Sequence, residues 1–227
     1  MATRFYLPST GVAAVSPAVA STWEITDVSF IRIKCVTTRI SSALTEVNLT
    51  EDSPSAANQD WCFIQYVSDP LAAQTLNPKP IVNDVKFQMR GMETAANNNM
   101  FFSWIVRVVS NDGGTVRGTF VAHRRDGTEL AVSTTDPLVY TNRGDVASSS
   151  TLTVEDGDRI VIEIGTGGTP VLPGAHASGI VYGDDSGTDL PENNTSTATN
   201  NPWVQFTDNI VFQAATGQQL YAYAQIL

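Results

Sequence analysis

A chain of 227 residues, 42% of them hydrophobic, can bury a sizeable core, and all-β sandwiches of this length commonly form one domain. Charged residues make up only 16% and the net charge is −10, so phosphate backbones and anionic lipid would repel the chain, and neither nucleic acid nor a membrane is expected as a partner. No apolar run approaches the length of a spanning helix, and Pro8 and Pro17 interrupt the small apolar N-terminus, whose one basic residue is Arg4, which argues against a cleaved secretory signal.

Residues 1–22 read as an extended N-terminal arm, and residues 23–227 as a single antiparallel β-sandwich domain. No stretch has the period of a long amphipathic helix; strand signals recur instead. In residues 30–35, Ile31, Ile33 and Cys35 share one face and Arg32 and Lys34 the other, the period of two that marks a half-buried strand. Residues 61–67 are almost continuously apolar. Residues 85–90 alternate Val85, Phe87 and Met89 with Lys86, Gln88 and Arg90.

Residues 101–109 place Phe102, Trp104, Val106 and Val108 on one face and Arg107 on the other. Asn111-Asp112-Gly113-Gly114 then supplies residues that tolerate positive φ, as a tight hairpin turn needs. The returning strand, 115–122, is expected to point Val116, Phe120 and Ala122 inward and Arg117 and Thr119 outward. A second turn at 125–127 leads to an expected strand over 129–133. Residues 151–154 and 159–164 are the next strands, joined by a turn at 155–158, with Ile160, Ile162 and Ile164 toward the core. Gly165, Gly167 and Gly168 are expected to break the second of these. Strands follow at 179–183, 203–206, 210–213 and 219–226, with a polar loop over 184–202. Short strands at regular spacing with turn residues between them indicate a sandwich, most simply a jelly roll.

The residues that carry chemistry are few. Cys35 and Cys62 sit in apolar strands; they would pair only if their strands were neighbours, and two reduced core thiols is the expected reading. His123 and His176 lack metal-ligand spacing to each other or to the cysteines. No G-x-S-x-G elbow and no phosphate-binding glycine loop is present. Glu163 is the main acid inside a strand, the type of residue a jelly-roll glycosidase would use, but its expected face is solvent. In the loop 183–192, Asp184, Asp185, Asp189 and Glu192 could ligate calcium; a turn whose Asp and Ser side chains cap backbone N–H groups is the expected alternative. Arg117, Arg124 and Arg125 read as a solvated hairpin end. Trp61, Trp104 and Trp203 lie in strands and are expected in the core. No catalytic residue, cofactor or metal ligand is therefore assigned. Phe5, Tyr6, Leu7 and Trp23 near the arm, and Tyr221 and Tyr223 in the last expected strand, are candidates for subunit contacts, since aromatics near chain ends favour protein–protein surfaces.

Several long phrases occur together and in order: Arg4 to Ser9, KCVTTRISSA from Lys34, QYVSDPLAAQT from Gln65, IVRVVSNDGGTVRGT from Ile105, GDRIVIEIG from Gly157, GDDSGTDLPENN from Gly183 and NPWVQF from Asn201. Over roughly residues 3–206 the chain resembles a family of β-sandwich proteins encoded in tailed-phage and prophage genomes. That resemblance implies a non-enzymatic virion structural protein, a capsid decoration or cement protein that oligomerises on the particle exterior beside major capsid or tail proteins. The alternative it leaves open is a carbohydrate- or receptor-binding module of a tail or fibre.

Overall fold

The computed structural model describes residues 2–40, 42–51, 59–133, 140–168, 176–184, 188–192 and 201–214. In chain order the strands are β1 (Thr3–Tyr6), β2 (Ile25–Lys34), β3 (Ser42–Glu51), β4 (Gln59–Val67), β5 (Gln74–Leu76), β6 (Val85–Glu93), β7 (Met100–Val109), β8 (Val116–Arg125), β9 (Thr141–Ala147), β10 (Leu152–Val154), β11 (Arg159–Gly168), β12 (His176–Asp184) and β13 (Trp203–Phe206).

Eight of these form nested antiparallel pairs: β3 with β12, β4 with β11, β6 with β9 and β7 with β8. The ribbon so formed is rolled up so that β12 also bonds to β6, and β11 to β7. One sheet therefore runs β3-β12-β6-β9 and the other β4-β11-β7-β8, which is the wiring of a jelly roll. Three additions decorate this frame. β6 is shared along its length, 90–93 bonding to β12 and 85–88 to β13, which carries β1 on its far side. β2 extends the second sheet as a parallel neighbour of β4. β5 and β10 form a short separate ribbon.

The period of two explains the core. Phe102, Trp104, Val106 and Val108 of β7, and Ile160, Ile162 and Ile164 of β11, are all fully buried against Phe87 and Met89 of β6 and Val204 and Phe206 of β13. Each such side chain contributes ~1.5–3 kcal/mol of transfer free energy. Aromatic contacts cross between the sheets: Phe87 stacks on Trp104 (5.3 Å, 15°) and meets Phe102 edge-on (5.4 Å, 76°), and Phe120 lies 5.5 Å from Phe206. Cys35 and Cys62 are free and buried, and desolvation pushes both thiols well above their usual range.

The structure corrects the expected pattern in several places. In β8, Phe120 and Val121 are both buried, whereas Val116 is 52% exposed and Ala122 also faces solvent. Register shifts against β7, between Trp104 and Val106 and on to Arg107, reset which side chains point inward. The expected strand over 129–133 is instead an irregular segment, bound by Leu130 N–H to the Met100 carbonyl (2.7 Å) and Ser133 N–H to that of Glu93 (2.8 Å). Residues 210–213 contribute one bridge, Leu71 to Phe212, rather than a strand. β11 does not stop at its glycines. It runs on to Gly168, and a Cβ at Gly165 would overlap the Trp61 carbonyl of β4. Those glycines permit close strand approach rather than ending the strand.

The segment expected as an extended arm lies on the chain's own two sheets. β1 is a strand of the first sheet, Leu7 N–H bonds to the Pro202 carbonyl, and Val12 bridges Ile33 of β2. Residues 17–23 then cross the outer face of the second sheet.

Candidate functional site

Glu163 anchors that crossing. On β11 it stands opposite Gln65 of β4 and Ile105 of β7, pointing away from the core that Ile162 and Ile164 enter. The expectation of a solvent-facing acid is wrong: Glu163 is 0% exposed. A carboxylate taken out of water must be paired and hydrogen-bonded, and this one is. Arg107 Nη2 forms a buried ion pair with it. Gln65 Nε2 donates to it at 2.8 Å, Trp23 Nε1 at 2.9 Å and Ala20 N–H at 3.1 Å.

The same groups hold the crossing segment by its backbone. Arg107 Nη2 also donates to the Ala18 carbonyl (2.7 Å), and Arg32 Nη2 to that of Pro17 (2.8 Å). Arg32 Nε closes the row by donating to Gln65 Oε1. Burial pulls the Arg32 guanidinium below its usual pKa, while Glu163 opposes that shift. Ala20, Trp23, Cys62 and Ile105 pack together beside this polar row. A groove of about 200 Å³ opens between Pro17, Ala18 and the β7–β8 turn at Gly113, with Val109 and Val116 as apolar walls. Its buried cation, Arg107, bonds Glu163 and Ala18 through Nη2, and its Nε has no hydrogen-bond partner.

His123 of β8 belongs to the same face. Ser103 Oγ lies 2.8 Å from His123 Nε2, the Thr22 backbone bonds to the ring, and Trp23 packs on it with centroids 4.3 Å apart. Desolvation lowers the imidazole pKa, with Asp60 and Glu24 pulling it back. A serine beside a histidine base is the geometry of an activated nucleophile. Here, however, Ser103 is 0% exposed, so no acyl carbon can approach its oxygen in this arrangement. The sequence reading did not pair these two residues, because the β7–β8 bulges decide which side chains face each other.

The acidic loop divides. Asp185 lies outside the described residues. Asp189 receives Arg4 Nη1 and Arg39 Nε (2.9 Å), and Glu192 pairs with Lys86 (2.8 Å). Asp184 ends β12 opposite Ser42; cations, rather than the expected turn N–H groups, take the Asp189 and Glu192 carboxylates, leaving those two poorly placed to serve calcium. Among the described residues no group of three His, Cys, Asp or Glu side chains could hold a metal ion. The three hairpin arginines are also engaged, not merely solvated: Arg117 with Glu155 and Asp158, Arg124 with Asp145, and Arg125 with Asp60.

The candidate contact residues are placed as follows. Phe5 and Leu7 are 1% exposed and Trp23 is 7% exposed, all packed within the chain's own core rather than on its surface. Tyr6 is half-buried, with its hydroxyl 3.4 Å from Asp189. Tyr221 and Tyr223 lie outside the described residues. Trp104 and Trp203 are fully buried and Trp61 packs partly buried against the core. Large apolar side chains that do face solvent include Val12, Ile81, Val82 and Val211.

No family model matches the chain, and no curated protein matches it. Among solved structures it is similar to two crystal structures of a CocE/NonD family hydrolase from Staphylococcus aureus. These show 10% and 11% identity and TM-scores of 0.45 and 0.47; they cover 91% and 93% of this chain and 36% of the hydrolase chain in each case. It is also similar to the structure of infectious bursal disease virus, Gx strain, at 11% identity and a TM-score of 0.30, covering 89% of this chain and 42% of the viral one. The chain thus spans a little over a third of the hydrolases it matches. With every one of these TM-scores below 0.5, none of the likenesses bears on function.

Proposed function

We propose that this chain is a non-enzymatic structural protein of a tailed-phage virion, a decoration or cement protein that oligomerises on the particle exterior. The observation that carries this reading is the use of the polar residues. Glu163, Arg107, Gln65 and Arg32 form a closed row that holds the chain's own segment 17–23 to the sheet. A groove-binding enzyme would hold such groups open to substrate; a building block uses them to lock its surface. The long phrases by which the chain resembles the phage-encoded family run through β4, β7 and β11 of the frame and through β13 beside it, and that resemblance supports the same setting. With Phe5, Leu7 and Trp23 turned inward, exposed positions such as Ile81 and Val82 take over as candidate contacts with neighbouring copies or with the major capsid protein.

Copy number in purified particles tests the reading. Quantitative mass spectrometry against the major capsid protein is expected to give a count commensurate with the capsid lattice, as a symmetric decoration requires. A handful of copies per particle would move the chain to the tail or a fibre and favour the receptor- or carbohydrate-binding alternative, which a glycan array would then address. Absence from particles would overturn the virion reading altogether.

A further inference from the structure

The β8–β9 connection begins with a buried acid that has no counter-ion bonded to it. Asp126 is 5% exposed. Its Oδ1 accepts the Thr128 N–H (3.0 Å), and its Oδ2 has no hydrogen-bond partner. The cations nearby direct hydrogen bonds elsewhere, although Arg143 Nε, like Asp126 Oδ2 and Glu129 Oε1, has no hydrogen-bond partner. Arg124 of β8 bonds to Asp145 of β9 through Nε (2.7 Å) and Nη2 (3.2 Å), and Trp104 Nε1 donates to the same carboxylate (2.9 Å). Arg143 of β9 directs Nη2 to the Glu129 carbonyl (2.6 Å), and Arg125 pairs with Asp60. On β6, Glu93 accepts the Met100 N–H (3.0 Å).

We propose that Asp126 is a proton-controlled latch: its neutral carboxyl lets residues 126–133 close over the Met100–Phe102 end of the core, and ionisation loosens them. The segment has the bonds such a latch needs. Asp126 N–H donates to the Phe102 carbonyl (2.9 Å), Leu130 N–H to that of Met100 and Ser133 N–H to that of Glu93. Leu130 is 2% exposed and sits against Gly91, where β6 meets Phe102. An ionised Asp126 would place an uncompensated charge beneath this cover, facing the Asp145 carboxylate.

Burial, with Asp145 adding to it, pushes the Asp126 carboxyl up to about 7, against the opposing pull of Thr128, Arg143 and Arg124. In the opened segment the group returns toward the ordinary aspartate value of about 4. The closed form therefore binds a proton that the open form has released. The latch is tight in acid, weakens as pH rises toward 7, and stays weak above it.

Amide hydrogen exchange across pH 5–9, corrected for intrinsic rates, tests this. Protection at Leu130 and Ser133 should fall about tenfold per pH unit below 7 and level off above, while amides of β11 do not follow. In Asp126→Asn the same amides should stay protected and flat with pH. Carbon-13 titration of the Asp126 carboxyl in the unmodified chain gives a reading independent of the variant. An unchanged pH slope in Asp126→Asn, or a carboxyl titrating at the ordinary aspartate value, would overturn the latch.

Discussion

Glu163→Gln removes one charge and almost no volume from the centre of the row that holds the crossing segment. Its carboxylate is fully buried and Arg107 is 6% exposed at the side chain. The substitution leaves the guanidinium as an uncompensated buried cation. It also turns one acceptor oxygen into an NH₂ group, facing either the Arg107 and Gln65 donors at Oε1 or the Trp23 and Ala20 donors at Oε2. Breaking a buried pair from one side costs about 3–5 kcal/mol. For a chain of this length each kcal/mol moves the melting temperature by about 2–4 °C, so a fall of roughly 10 °C is expected. Urea and thermal unfolding followed by near-ultraviolet circular dichroism measure it. A double-mutant cycle with Glu163→Leu and Arg107→Met isolates the pair: the double variant should be more stable than the sum of the single losses predicts, by about 1–3 kcal/mol. If Glu163→Gln unfolds within about 1 kcal/mol of the parent, or the cycle shows no coupling, the charge row does not hold the segment and the reasoning fails.

Trp23→Ala deletes the indole donor to Glu163 and the ring packed on His123; limited proteolysis should then cut within residues 12–24 much faster than in the parent. Gly165→Ala forces a methyl group into the Trp61 carbonyl, a backbone clash expected to cost more than ~4 kcal/mol, read as loss of soluble expression or of cooperative melting. Cys35 and Cys62, 1% and 0% exposed with thiols pushed up by burial, should resist alkylation in the native chain and react fully only in denaturant.

The parts of the fold legible in the sequence were the strands with a strong apolar signal, although the structure buries both of their faces. β6, β7 and the first half of β11 follow from their alternation, β4 from its nearly unbroken apolar run, and the β7–β8 turn from Asp112 and Gly113. Asp112 Oδ1 accepts from Ser110 and from Gly114 N–H, and Gly113 takes φ 77°. β3 and β9 escaped notice because SALTEVNLTE and TNRGDVA are polar along much of their length. β1 escaped because four residues show too little period. The site was less legible than the fold. Arg107 and Glu163 were each visible as a charge on the far side of an apolar strand, and that far side was taken for solvent. Only pairing register shows that these charges lie side by side with Gln65. Only the path of residues 17–23, which have no strand period at all, shows that something covers them.

The proposed role makes this jelly roll a component of the particle surface. A cryo-electron microscopy difference map between parent particles and particles lacking the gene tests it most directly. Missing density is expected on the outer capsid surface, repeated with the lattice and matching the two-sheet sandwich. Identical heads, with the loss confined to the tail or absent from the particle, would contradict it.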